Sequence, residues 1–159
     1  MGEFEQANLI FMHPFLRATL DLFKETYALE IKPGKPFLKN SMPAAGRDLV
    51  AVFNIYTSDY TAVVALCFMK DVLRSMLSPY PGAPVGVVEA ELAAITSGVM
   101  ASAAPTLKEK MRGKMIIIPT LLEGQEVAIK VISHAPTIVV PLESHRGDFT
   151  IEVVTEALT

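Results

Sequence analysis

Residues 86–104, GVVEAELAAITSGVMASAA, are a stretch of the 159-residue chain in which good helix formers crowd together. Breakers bracket it, with Ser78-Pro79-Tyr80-Pro81-Gly82-Ala83-Pro84 ahead and Pro105 behind. Pro84 suits a first helical turn, where a missing N–H costs nothing, and Glu89 and Glu91 complement the positive end of the helix dipole. The segments before and after are rich in β-branched residues. A long helix between two such blocks has to bury its apolar stripe against a sheet, which predicts an α+β fold.

At about 100° per residue, Glu91, Ala94, Ile95 and Gly98 fall on one side of this helix, while Val88, Leu92 and Val99 sit on a flank suited to the core. The first side is mostly small, so Ala94 and Gly98 let another backbone or a partner protein approach closely. Glu91 places a carboxylate beside it. The plainer alternative is a solvated helix carboxylate and a glycine that serves packing alone.

Residues 5–29 predict a first amphipathic helix, with Leu9, Phe11 or Met12, Leu16, Leu20, Phe23 and Tyr27 at near-helical intervals. Pro14 either starts a new helix at His13 or kinks a longer one. Pro33-Gly34 is turn chemistry, and a strand is expected from Pro36. Residues 47–57 and 60–69 read as a hairpin across Ser58-Asp59, and 70–77 as a short helix. Pro105 is expected to end the central helix or to begin a further turn through residues 106–112, closed by Gly113. Four strands are expected in the last third, over 114–122, 127–133, 135–142 and 148–155. Pro119, Pro136 and Pro141 belong at bulges, strand ends or edges. Phe149, Ile151 and Val153 alternate with Thr150, Glu152 and Val154, as in a half-buried antiparallel strand.

Composition excludes several functions. A formal charge of −3, with Lys and Arg dispersed, argues against a grip on nucleic acid. Mean hydropathy is high at +0.38, yet no apolar run approaches the roughly 18 residues that span a bilayer. The N-terminus has no basic, signal-like region, so a cytoplasmic protein is expected. The single cysteine, Cys67, lies in an apolar run and reads as a small buried hydrophobe. There is no phosphate loop, no metal-spaced Cys/His cluster and no nucleophile elbow. His13, His134 and His145 read as local or surface groups.

The segment Glu91-Leu92-Ala93-Ala94-Ile95-Thr96-Ser97-Gly98 resembles the central helix of the CheX/CheC chemotaxis phosphatases, whose motif is Glu, two residues, Asn, then a small-rich stretch ending in Gly. Pro14-Phe15-Leu16, Leu20 and Lys32-Pro33-Gly34-Lys35-Pro36 also resemble the start of CheX-type sequences. Pro119-Thr120-Leu121-Leu122-Glu123-Gly124 resembles the family strand that follows the motif helix, offset by about three residues.

The resemblance implies a single CheX-like domain over 1–159 with a CheC-like fold. That fold is a mostly antiparallel sheet of about six strands packed against three helices, with one long motif helix. It implies that the partner is a phosphorylated CheY-like receiver domain that carries its own Mg, so this chain needs no cofactor of its own. It further implies that Glu91 docks a receiver lysine and that Ala94, Ile95 and Gly98 belong to the partner-binding face. CheX-like proteins are dimers, so a homodimer is expected, although a monomer with covered edges fits the sequence equally. The family asparagine that orients water is replaced by Ala94. Two readings stand: a phosphatase that borrows a water-orienting group from elsewhere, and a binding module that engages a receiver or a flagellar switch component without hydrolysis.

Overall fold

The β-branched runs on either side of the long helix pair with one another to build a single antiparallel sheet. The computed structural model describes residues 3–40, 47–78, 86–124 and 136–158. In chain order the elements are α1 (Glu3–Tyr27), β1 (Lys32–Pro33), β2 (Phe37–Lys39), β3 (Leu49–Tyr56), β4 (Tyr60–Phe68), α2 (Lys70–Leu77), α3 (Val88–Lys110), β5 (Ile116–Glu123), β6 (Thr137–Ser144) and β7 (Gly147–Ala157). The strands lie in the order β1-β6-β7-β4-β3-β5, with β2 also on β6, so the fold is α+β as expected, with one antiparallel sheet and three helices among the described residues. Thr57 tightens the β3–β4 hairpin, its Oγ1 accepting from the Tyr60 N–H at 2.9 Å and donating to the Tyr60 carbonyl at 3.1 Å.

Alternate residues of the central strands carry the main core. Leu49, Ala51, Phe53 and Ile55 of β3, Ala62, Val64, Leu66 and Phe68 of β4, and Phe149, Ile151 and Val153 of β7 are all buried in it. Phe11, Phe15 and Phe23 of α1 and Leu92, Ile95, Val99 and Leu107 of α3 complete it from the helical layer. Phe68 stacks on Phe149 with ring centres 4.4 Å apart, and Phe23 packs 5.5 Å from Phe149. At α2, the Asp48 carboxylate accepts the Lys70 N–H at 2.6 Å, so a residue from the entry to β3 satisfies a donor that its own N-cap, Met69, leaves open.

Several expected boundaries move. Pro105 does not end the central helix, which runs on to Lys110. The N–H lost at Pro105 orphans the carbonyl of Ala101, and both residues are exposed, so water can take that acceptor. Pro14 likewise lies inside one helix, α1. The helix α3 ends on Met111, whose N–H reaches the Lys108 carbonyl, and Gly113 follows in a left-handed conformation with φ +75°. The expected strand 127–133, His134, Pro84 and the last residue of the Glu123-Gly124-Gln125 turn lie outside the described residues. The strand β7 is buried on both faces over most of its length rather than on one, because β4 and β6 flank it and its second face is also covered.

That second face holds a smaller apolar cluster of Val50, Val52, Ala65, Cys67 and Val154. Within the same face lies a buried carboxylate. Glu152 is fully buried, with Lys39 Nζ of β2 at 2.5 Å from one oxygen and the Thr150 hydroxyl donating to the other at 2.8 Å. The ammonium is held there by charge more than by alignment, since Lys39 Nζ and Glu152 Oε1 do not meet hydrogen-bond geometry. Burial, and then the Glu152 charge, push the neighbouring Cys67 thiol well above its ordinary pKa, so it stays protonated.

Removing one member of a buried pair leaves the other charge uncompensated. Lys39→Met is expected to lower unfolding stability by about 3 kcal/mol in urea titrations at neutral pH, and adding Glu152→Leu to recover most of that loss. Equal stability of Lys39→Met and wild type would show that the pair does not anchor β2.

Candidate functional site

The alanine-rich sequence of α3 lets α1 lie close along it, and the two helices run antiparallel. Near the start of α3, Glu91 meets Tyr27 from the last turn of α1. One level further on, Gly98 faces Leu22, whose Cδ1 would lie 2.7 Å from a Cβ added at 98. Beyond that, Ser102 and Thr106 share a cavity with His13 and Arg17. The end of α1 is fixed by the Leu29 N–H, which bonds to the Phe23 carbonyl at 3.0 Å, and Ala28 takes the left-handed position that such an end requires, with φ 51°. That closure sets where Tyr27 stands.

Glu91 is half-buried, and the Tyr27 hydroxyl donates to its Oε2 at 3.2 Å. The pairing marks the phenol: burial first, then the Glu91 charge and the hydrogen bond, push its pKa up to about 12. Glu89, in the same first turn, is bonded to Lys70 of α2, which holds its carboxyl below the ordinary range and raises the lysine. The two acidic groups at the start of α3 are therefore unequal. Glu89 is matched by a cation, whereas Glu91 is partnered by a neutral donor, the Tyr27 hydroxyl.

The residues expected to form one face separate into three environments. Ala94 is exposed. Ile95 is 1% exposed and belongs to the core, so it presents nothing to a partner. Gly98 is partly buried and gives its close approach to Leu22 of α1, within the same chain. The reason is angular: the arc centred on Glu91 straddles the boundary between the core-facing side, marked by Leu92 and Val99, and the open side. The surface that is open consists of Ala90, Ala93, Ala94, Ser97 and Ala101, all exposed. Its signal was present in the sequence as small residues opposite Val88, Leu92 and Val99.

Among the described residues, no asparagine stands beside Glu91 on α3. Thr96 is buried and donates its hydroxyl to the Leu92 carbonyl at 2.7 Å. Asn8 sits about 28 Å along α1 from Tyr27, at 1.5 Å per residue, and Asn40 and Asn54 lie at the end of β2 and in β3. Tyr27 is the polar group that sequence reasoning missed. It lies 64 positions from Glu91, and its spacing in α1 reads equally well as a core position. Among the described residues, no group of three or more His, Cys, Asp or Glu side chains is assembled that could hold a metal ion, and no helix is long and apolar enough to cross a membrane.

No protein-family model matches the chain, and no curated protein matches it closely enough to count as a relative. Solved structures do. A CheC-like superfamily protein from Shewanella sp. PV-4 is 25% identical, with 94% of this chain and 99% of that one covered at a TM-score of 0.74. The chemotaxis protein CheX from Vibrio vulnificus is 24% identical, with 92% and 99% covered at a TM-score of 0.73. A structure of a CheX–CheY–BeF3–Mg complex from Borrelia burgdorferi matches at 18% identity, 94% and 98% coverage and a TM-score of 0.60.

A phenol whose pKa is raised on folding contributes stability that is whole below its unfolded value of 10.0 and is lost as pH climbs toward about 12. Glu91→Gln is expected to move the latest-titrating phenol downward in an ultraviolet titration. Tyr27→Phe should remove this component of the fall in stability across that window. An unmoved titration in Glu91→Gln would mean that the two side chains do not interact in solution.

Proposed function

Starting from a chain of the CheX/CheC type, we propose that it docks a phosphorylated CheY-like receiver domain on the open face of α3 and does not hydrolyse the phosphoryl group by itself. The observation that carries this reading is a small, uncharged helix surface, Ala90 to Ala101, with one carboxylate at its margin and, among the described residues, Ala94 in place of an amide. The surface admits a partner closely, and Glu91 offers Oε1 to an incoming lysine while Oε2 keeps the Tyr27 hydroxyl. A complex of CheX with CheY among the similar structures supports the choice of partner.

The chemistry argues against independent catalysis. Attack on an acyl phosphate needs a water held in line with phosphorus, and a side-chain amide achieves this by donating and accepting at once. The Ala94 methyl group does neither. Thr96 is committed to its own backbone, and the Tyr27 proton is directed at Glu91. The receiver brings its own Mg, so the chain itself needs no cofactor, and the reading places the protein in the cytoplasm.

A homodimer is a companion proposal. Among the described strands β5 lies at one edge of the sheet, and it leaves Ile116 and Ile118 about half exposed, which fits pairing with a second copy. Sedimentation at micromolar concentration is expected to give a dimer that Ile118→Lys converts to monomer, and a wild-type monomer would overturn it.

Receiver docking is tested with a receiver from the same genome. Wild type is expected to bind its BeF3-loaded form, Glu91→Ala to bind about tenfold more weakly, and the acyl phosphate to decay at its intrinsic rate in the presence of wild type. Ala94→Asn should accelerate that decay. Rapid loss of phosphate with wild type would overturn the non-catalytic reading, and absence of binding would overturn docking.

A further inference from the structure

Below the Gly98–Leu22 contact, a cavity of about 290 Å³ opens between α1 and the C-terminal half of α3. Pro14 and Ala18 of α1 are buried at its base. Around it stand His13 and Arg17 from successive turns of α1, with Ser102, Thr106 and Lys110 at intervals of four along α3. The space exists because Ala18 and Ser102 are small at the level where larger side chains would close the groove.

The lining is one-sided in charge. Arg17, Lys110 and the imidazole of His13 bring nitrogen donors, Ser102 and Thr106 bring hydroxyls, and among the described residues no carboxylate lines the space. Asp21 meets Arg17 at Nε, at 3.4 Å, with the arginine side chain largely exposed and the aspartate half exposed, so the pairing is weak and does not commit the guanidinium. A planar oxygen anion matches that donor set.

The position of the cavity names the source of the anion. Ser102 lies about 16 Å along α3 from Glu91, and Lys110 about 28 Å, at 1.5 Å per residue. An ordinary protein interface of about 800 Å² per side is roughly 30 Å across, so a partner seated on the Ala94–Ala101 surface with a basic side chain at Glu91 also covers the cavity. The surface between is uncharged and cannot set the orientation of that partner. A carboxylate at one end and a cationic pocket at the other can.

We propose that the His13–Arg17–Lys110 pocket is a second docking contact, which takes an Asp or Glu side chain of the receiver while Glu91 takes a basic one. This rests on the docking reading above and adds to it the means by which the partner is oriented.

The test titrates the BeF3-loaded receiver onto wild type, Glu91→Ala, Arg17→Glu, Lys110→Glu, the double reversal and Ser102→Leu, each at low and moderate salt. The replaced side chains are exposed or half-exposed, and thermal unfolding of each variant checks that it is folded. Each reversal is expected to weaken binding about threefold to tenfold, the double reversal by more, with a shallower salt dependence. Ser102→Leu fills the pocket without changing charge and should also weaken binding. If the double reversal binds like wild type while Glu91→Ala is weakened, docking stands and the second contact falls. If the reversals weaken binding but Ser102→Leu does not, the effect is general electrostatics and the pocket is overturned. If wild type binds no receiver, both proposals fall together.

Discussion

The seating of α1 against α3 governs what the rest of this molecule can present. Small residues on α3 let the helices approach, Gly98 takes the tip of Leu22, and the Tyr27 hydroxyl reaches Glu91 across the same seam. Had the facing residues been larger, α1 would stand off, Glu91 would point freely into water, and the cavity between Ala18 and Ser102 would lie open to both sides. Because α1 covers one flank of α3 and the sheet covers the next, the N-terminal two-thirds of the helix shows, among the described residues, a narrow exposed lane of alanine and serine. That lane is thus a remainder of packing, and its lack of side-chain bulk makes it usable as a surface for another protein.

Much of the fold was legible because the hydrophobic periods are clean. The helix 70–77 matches the expected limits at both ends, since an amphipathic stripe follows directly on a strand. The hairpin matches within a few residues, because Ser58-Asp59 interrupts two β-branched runs. Long-range facts were less accessible. Pro105 reads as a terminator by local rules, but an exposed helix face lets water replace the missing bond, and the apolar contacts of Ala103 and Leu107 continue the helix through it. The strand β7 alternates polar and apolar residues as though one face were wet, yet Glu152 is taken into the interior because Lys39 arrives from β2, a pairing that no local pattern announces.

The exposure of the expected helix side was legible by half. Glu91 and Ala94 stand at the edge and on the surface of the open lane, whereas Ile95 and Gly98 were assigned to a side that the neighbouring helix and the sheet divide between them. Angular reasoning on an isolated helix finds which residues share a direction. It cannot find which direction another helix will occupy, and here α1 is the element that decides. The same limit hid Tyr27, whose role depends on a turn at Ala28 that places its ring opposite a residue far along the chain.

The lone sulfhydryl of this protein is sealed in the sheet and held in its protonated form by its surroundings, Glu152 among them. The folded chain is therefore silent toward thiol reagents, with no background to subtract. A cysteine introduced on the exposed helix lane would be the sole reactive handle on the native molecule, so that a fluorophore or a crosslinker could be attached there without first redesigning the interior.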